Sequence, residues 1–323
     1  MSDSEIIVKR YGDGSKKRGI ISGMNVLEPI NDNVSPAPDS LAIDAVFNDK
    51  SRLPGMLDEI DVRLLWAHRE SLRAGSWNYD SLANDFWRLY QNDVDGGVLT
   101  AAGRSVSLQG RGVYIVPSGL PMSSRNDADI TQFYMHFDLR GVPPFAFREL
   151  FPGPVLVPDV SGFYDSVEDL GERVARHGSS DLATQCRIKG TVYEAFGHYL
   201  GEVSAELIER SWKRMAALEP VLPALHMIED RLDQVIRNGD LSAACNLSED
   251  YFIHKFRDAT GFTPTAFIRK RRVAMGAQLL LFTTESIESI ATKTGFTDRF
   301  YFSRVFTRET GHPPAAYRRS PRT

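Results

Sequence analysis

TGFTDRFYFSRVFTRETGHPP, residues 294–314, sets aromatic side chains on one side of a short helix and arginines on the other, and then stops abruptly. At 100° per residue, Phe302, Val305, Phe306 and Glu309 share a face. Phe300, Ser303, Arg304 and Thr307 lie opposite, with Arg299 at the entry. Asp298, preceded by Thr297, is positioned as an N-cap. Gly311 is positioned as a left-handed C-terminal stop, and Pro313–Pro314 blocks continuation. A buried helix has no use for the arginines, and a merely solvated one has no use for the phenylalanines.

The stretch is the second copy of a repeat. YFIHKFRDATGFTP (251–264) aligns with YFSRVFTRETGHPP (301–314) at an offset of fifty. Tyr251, Phe252, Phe256, Thr260, Gly261 and Pro264 match Tyr301, Phe302, Phe306, Thr310, Gly311 and Pro314. Another short helix precedes each copy, LSAACNLS (241–248) and SIESIATKTGFT (286–297), and the second copy has one extra residue before its main helix. In the first copy Phe252 and Phe256 point inward, and Asp250, Ile253, His254 and Arg257 point outward. A short helix, a tight turn and a helix with one apolar stripe make the helix-turn-helix plan, whose free face enters the DNA major groove. One copy alone reads as an ordinary surface hairpin; two in-register copies reverse that.

Composition sets the frame. The 323 residues are 42% hydrophobic and 25% charged, ordinary for a globular chain with room for two domains. No apolar run is long enough to span a membrane, and no secretory signal is visible at the start. Cys186 and Cys245 lie far apart and read as buried thiols in a reducing compartment, so a cytoplasmic protein is expected. The net charge of −4 is unevenly spread: residues 263–323 hold 11 basic and 4 acidic residues. A basic end on an acidic body is the asymmetry expected of nucleic-acid contact, and also of a solvated basic face.

Residues 241–319 as a whole, and IATKTGFTDRFYFSRVFTRETGHPPAAYR above all, resemble the DNA-binding domain of the AraC/XylS family of transcription regulators. The resemblance runs from about Leu218 to Arg319. It departs at Asn246, where the family usually has Gly in the first turn, and at Gly276, where Ala is usual in the linking helix. It implies two helix-turn-helix units joined by a long helix over 264–282, which at ~1.5 Å per residue extends about 28 Å. That length suits two recognition helices about one DNA turn, roughly 34 Å, apart. By position, Asp250, Ile253, His254 and Arg257 belong to the DNA face of the first unit, and Arg299, Phe300, Ser303 and Arg304 to that of the second. Arg299 and Arg304 are the candidates for base or phosphate contact. The run Arg269–Arg272 is a further candidate for phosphate.

Upstream, residues 1–55 read as an irregular segment with a strand at Ile43–Phe47. Residues 56–160 carry short β-branched and aromatic runs and resemble the cupin-like sensory barrel of sugar-responsive members. Residues 161–217 turn helical, with helices at 163–176 and 183–210, and the resemblance implies dimerisation there. The expected fold is therefore α+β: a cupin-like β-barrel, then helices, then an all-α domain with two helix-turn-helix units over 218–323. Trp87, Arg88, Tyr90, Arg125, Tyr134 and His136 are the candidate ligand-binding residues, with the inward face of their strands left open. A metal-dependent cupin enzyme with an appended helical module is the alternative. It wants a His-x-His pair, but His68 and His136 each stand alone, so no catalytic residues, metal or cofactor are expected. The expected partners are double-stranded DNA, a small-molecule effector (a carbohydrate by analogy), a second copy of the chain, and RNA polymerase if the protein activates.

Overall fold

In the computed structural model, the described residues are 60–319 apart from 84, 141 and 142; the strand expected at Ile43–Phe47 lies outside them. The alternating runs form β1 (Asp61–Leu72), β2 (Tyr79–Ala83), β3 (Trp87–Asn92), β4 (Gly97–Ala101), β5 (Arg104–Leu108), β6 (Val113–Val116), β7 (Pro121–Asn126), β8 (Ile130–Arg140) and β9 (Val155–Leu156). They do not close into a barrel. They make two open sheets, ordered β1-β8-β3-β6-β9 and β2-β7-β4-β5. The two share no ladder, so their inner faces meet through side chains. Tyr90, Tyr114, Val116 and Tyr134 from the first sheet interdigitate with Leu99, Ala101, Leu108 and Met122 from the second.

The first sheet is buried on both sides. Every residue of β3, WRLYQN, is buried, because one face looks at the second sheet and the other is covered by helices. On the helix side, Trp87, Leu89, Met135 and Phe137 join the core of α1 (Phe163–His177) and α2 (Leu182–Gly201). The helical run expected over 183–210 is broken: α2 ends at Gly201 and α3 (Ala205–Ala216) starts afresh with Ser204 as its cap, accepting from the Leu207 amide. Cys186 is exposed rather than buried, and Cys245 is half-buried.

The C-terminal part contains α4 (Leu222–Asp230), α5 (Asn238–Ala244), α6 (Glu249–Thr260), α7 (Pro264–Phe282), α8 (Ile287–Lys293), α9 (Arg299–Thr310) and α10 (Pro314–Tyr317). The linking helix α7 occupies the span its proline start and apolar content predict. The fifty-residue repeat is structural and extends further than the matching stretch. Phe252 packs on Phe256 at 5.5 Å, and Phe256 stands edge-on to Phe267. Phe302 packs on Phe306 at 5.3 Å, and Phe306 stands edge-on to Tyr317. Each recognition-type helix is thus pinned from behind by an aromatic triplet ending in the next helix. Both α6 and α9 end on a glycine in the left-handed region, Gly261 and Gly311.

Two local departures have physical causes. Asn246 has a positive φ of 53°, a conformation Asn tolerates. The matching Gly295 admits no substitute: a Cβ there would lie 2.3 Å from the Leu232 carbonyl and 2.8 Å from the Arg272 guanidinium. Gly276 of α7 lies flat against Phe302, and a Cβ would come within 2.8 Å of the ring.

Gly276→Ala would gain about 1 kcal/mol at an exposed helical site. Here overpacking against Phe302, at roughly 1–3 kcal/mol, outweighs it, and the urea-unfolding midpoint of the full chain is expected to fall. A second expectation concerns Asp298, whose Oδ1 accepts from the Phe300 and Tyr301 amides at 2.8 Å each. The Tyr301 amide, first among its partners, holds the carboxyl below the usual range. A carboxyl with a depressed native pKa stabilises the fold above its unfolded pKa of about 3.9 and stops doing so as pH falls through the native value. Asp298→Ala is expected to lower the thermal midpoint at pH 7, with the gap to the parent closing as pH falls below about 4.

Candidate nucleic-acid interface

The second helix-turn-helix unit is α8 and α9. Ile290 and Ala291 of α8 meet Phe302, Val305 and Phe306 of α9 in one buried cluster. With that stripe turned inward, the opposite side of α9 faces solvent. Phe300 is 72% exposed, Arg299 and Arg304 are exposed, and Ser303 is half-buried. Glu309, on the apolar side of the wheel, is half-buried and takes the Arg269 guanidinium at 3.1 Å. Arg299 lies over the Phe300 ring at 4.7 Å and pairs loosely with Glu288 at 3.7 Å. Arg304 lies over the Tyr301 ring at 5.4 Å. These contacts orient the cations without burying them, so the guanidinium forks stay available to guanine edges or phosphates.

The first unit, α5 and α6, repeats the plan with a different surface. Phe252 and Phe256 are fully buried. Asp250, His254 and Arg257 are exposed, whereas Ile253 is half-buried and packs partly on the core. Lys255 lies over the Tyr251 ring at 5.5 Å, as Arg304 does over Tyr301. Tyr251 and Tyr301 are 52% and 41% exposed and flank the two outward faces. Their equal register in both copies signals a shared role, but the same signal marks the buried phenylalanines, so sequence alone does not separate the two.

The basic run of α7 is divided in use. Arg272 is half-exposed and donates to three carbonyls, Leu232 at 2.9 Å, Gly295 at 2.8 Å and Gln234 at 2.5 Å, which ties the two units together. Arg271 turns toward the sheet domain. Its guanidinium forks onto Glu229 at 2.5 and 2.8 Å and lies 3.8 Å from Asp138 of β8. Gln278, two turns further along the same face of α7, accepts from Arg63 and donates to the Asp85 carbonyl at 3.2 Å. Burial pushes the Asp138 carboxyl up, with Arg271 and Arg63 opposing it. Burial works against the Arg271 charge too, but Glu229 and Asp138 more than offset it and its pKa is raised. Arg269 and Lys270 both reach Glu309, at 3.1 and 3.8 Å. This buried charge network between β1, β8, α4 and α7 is absent from the sequence reading. Its members are spread from Arg63 to Gln278, and no short-range spacing announces them.

The six candidate ligand residues separate. Arg88, Tyr90, Tyr134 and His136 share the inner face of the first sheet, since Arg88 pairs with His136 and Tyr90 with Tyr134 across β3 and β8. Trp87 alternates to the other face, against Phe137, Phe147, Phe151 and Phe196. Arg125 is on the outer face of β7, its side chain 63% exposed and 3.6 Å from Asp127. Strand pleat is the cause in both cases: one residue of offset reverses the face. Among the described residues no group of three or more His, Cys, Asp or Glu could hold a metal ion, and no helix is long and apolar enough to cross a membrane.

A family model described as a helix-turn-helix domain matches residues 241–320. The MmsAB operon regulatory protein of Pseudomonas aeruginosa is 35% identical over 78 residues, 24% of this chain and 25% of that protein. The HTH-type transcriptional activator RhaR of Escherichia coli is 42% identical over 76 residues, 24% of this chain and 26% of that one. The matched region therefore spans only about a quarter of the length of these curated relatives. Among solved structures, ToxT from Vibrio cholerae O395 aligns over 81% of this chain and 97% of its own, at 12% identity and a TM-score of 0.46. The paired hairpins and their buried phenylalanines lie within residues 241–320, the stretch that the helix-turn-helix domain model matches.

Proposed function

We propose that the chain is a sequence-specific DNA-binding transcription regulator whose sheet domain takes a small-molecule effector. The observation that carries the DNA-binding part is the outward face of α9: exposed Arg299, Phe300 and Arg304 over buried Phe302 and Phe306. In this reading α9 enters the major groove, Arg304 or Arg299 reads a guanine edge, and Phe300 meets a thymine methyl. The first unit offers Asp250, Ile253, His254 and Arg257, adds fewer cations, and contributes less of the affinity. Ile253, half-buried, contributes least of these. Two chains pairing through α1 and α2 would double the number of DNA units and raise the affinity of the assembly.

The effector part is supported by the inner face of the first sheet, where polar and aromatic side chains stand together. The buried network around Arg271 is the connection between the domains. A change at β8 alters the seat of Asp138, and α7 carries that change to both recognition helices.

Binding to promoter fragments at two salt concentrations tests the DNA reading. Affinity is expected to fall linearly in log–log form, by about 0.9 per phosphate neutralised. Arg304→Ala is expected to cost ~1–3 kcal/mol and to relax preference at one base pair. A uniform loss over all sequences would make Arg304 a phosphate contact. Arg271→Ala, which strands Asp138 and Glu229, is expected to destabilise the chain by roughly 3–5 kcal/mol in urea unfolding. Arg271→Ala in a Glu229→Gln background is expected to cost less, because one stranded charge is already gone.

A further inference from the structure

Ile268, Arg272 and Gly276 lie four residues apart on α7 and so share one face of it. Ile268 belongs to the core that holds the first unit, and Gly276 lies against Phe302 of the second. Arg272 stands between these two seats, and all three of its side-chain nitrogens are engaged. Nε donates to the Leu232 carbonyl and Nη2 to that of Gln234, both in the loop that leads into α5. Nη1 donates to the Gly295 carbonyl, in the turn between α8 and α9. The two segments meet backbone to backbone, since a Cβ on Gly295 would lie 2.3 Å from the Leu232 oxygen. Beside this contact the units part. A cavity of about 290 Å³ is lined by Val235 and Ile236 of the loop and by Phe296, Thr297 and Tyr301 of the second unit.

We propose that Arg272 is a positioning residue for DNA reading. It fixes the separation and angle of the two helix-turn-helix units, and so the number of base pairs the protein tolerates between the two sub-sites it reads. The task suits one side chain. Three carbonyls from two segments converge on one place, and their dipoles repel unless a cation lies among them. A planar guanidinium offers donors on three nitrogens in a fixed fork, whereas a lysine ammonium is a point charge on a flexible stem. Its partners are backbone atoms, so neither segment can move without breaking a bond to Arg272. Arg269 and Lys270, by contrast, join Glu309 of α9 to α7 itself.

A fixed join has a consequence for affinity. Once one unit is bound, the other meets its sub-site at high effective concentration, and a stiff connection raises that concentration at one spacing while forfeiting it at others. One inserted base pair moves the sub-sites apart by about 3.4 Å and turns one against the other by about 35°. A loosened join follows that change; a clipped one does not.

This inference rests on the DNA-binding reading above and names what sets its site geometry. The full chain selects duplexes from a random-sequence library, and the enriched duplex is remade with one base pair inserted or deleted between its sub-sites. Fluorescence anisotropy at two salt concentrations then compares the parent with Arg272→Met. The parent is expected to lose about tenfold or more on either change of spacing, and Arg272→Met less than about threefold. Arg272→Met is also expected to bind the unaltered duplex more weakly than the parent, with the same dependence on salt. An equal spacing penalty in folded Arg272→Met overturns the proposal. So does a salt slope reduced by about one phosphate, which would make Arg272 a DNA contact. Should Arg272→Met fail to fold, Arg272→Lys is read in its place: its penalty is expected at least about twofold below the parent's, and an undiminished one overturns the proposal. The parent alone separates the two readings. Salt-sensitive enrichment of a duplex with one sub-site, or of one indifferent to spacing, removes the spacing role and leaves the regulator. No salt-sensitive enrichment removes both.

Discussion

Two aromatic pins, Phe252–Phe256–Phe267 and Phe302–Phe306–Tyr317, carry the C-terminal half of the structure. A twelve-residue helix is marginal in water by itself. Its stability has to come from one buried stripe, and the stripe decides which side is left for solvent. Because each pin ends in the helix that follows, burying the phenylalanines also fixes the exit of the chain after Gly261 and Gly311. Arg299 and Arg304 are outward because Phe302 and Phe306 are inward.

The linking helix α7 belongs to both halves of the described chain. Its apolar residues join two separate cores: Phe267 and Ile268 sit with the first unit and the helices of the sheet domain, and Val273, Ala277, Leu280 and Leu281 sit with the second unit and Phe86. Its polar residues serve as fasteners. Arg272 clips the loop before α5 to the turn before α9, and Arg271 and Gln278 fasten the helix to β8 and to the Asp85 carbonyl. A buried ion pair of this kind adds little net stability compared with apolar packing, but it tolerates only one arrangement. That selectivity fixes one way of joining the sheet domain to the helix-turn-helix units.

Much of the C-terminal domain was legible because its information is local. The N-cap at Asp298, the stop at Gly311, the proline start of α7 and the apolar stripe of α9 all depend on neighbours within a few residues. The N-terminal part was legible as short strands but not as an assembly. Whether the strands close into a barrel or stay as two sheets depends on which edges pair, and strands with alternating apolar residues fit either arrangement. The helical run over 183–210 hid its break, because Gly201 and Ser204 interrupt a pattern that is otherwise continuously amphipathic.

The candidate ligand residues show the same boundary. Alternation in DFWRLYQN put Arg88 and Tyr90 on one face and Trp87 on the other from the sequence itself. Only the second sheet and the covering helices decided which face was which, since β3 is apolar enough to be buried on both. The sequence by itself determined the paired hairpins, their caps and the polarity of their recognition helices, through spacings of three, four and fifty residues. The tertiary structure alone decided the join of Arg271 to Asp138 and Glu229, and the meeting of Arg88, His136 and Phe282. Those contacts bridge about 130 to 195 positions of sequence except at Glu229 and between Arg88 and His136, and only burial, by excluding water from charges and rings, makes them specific.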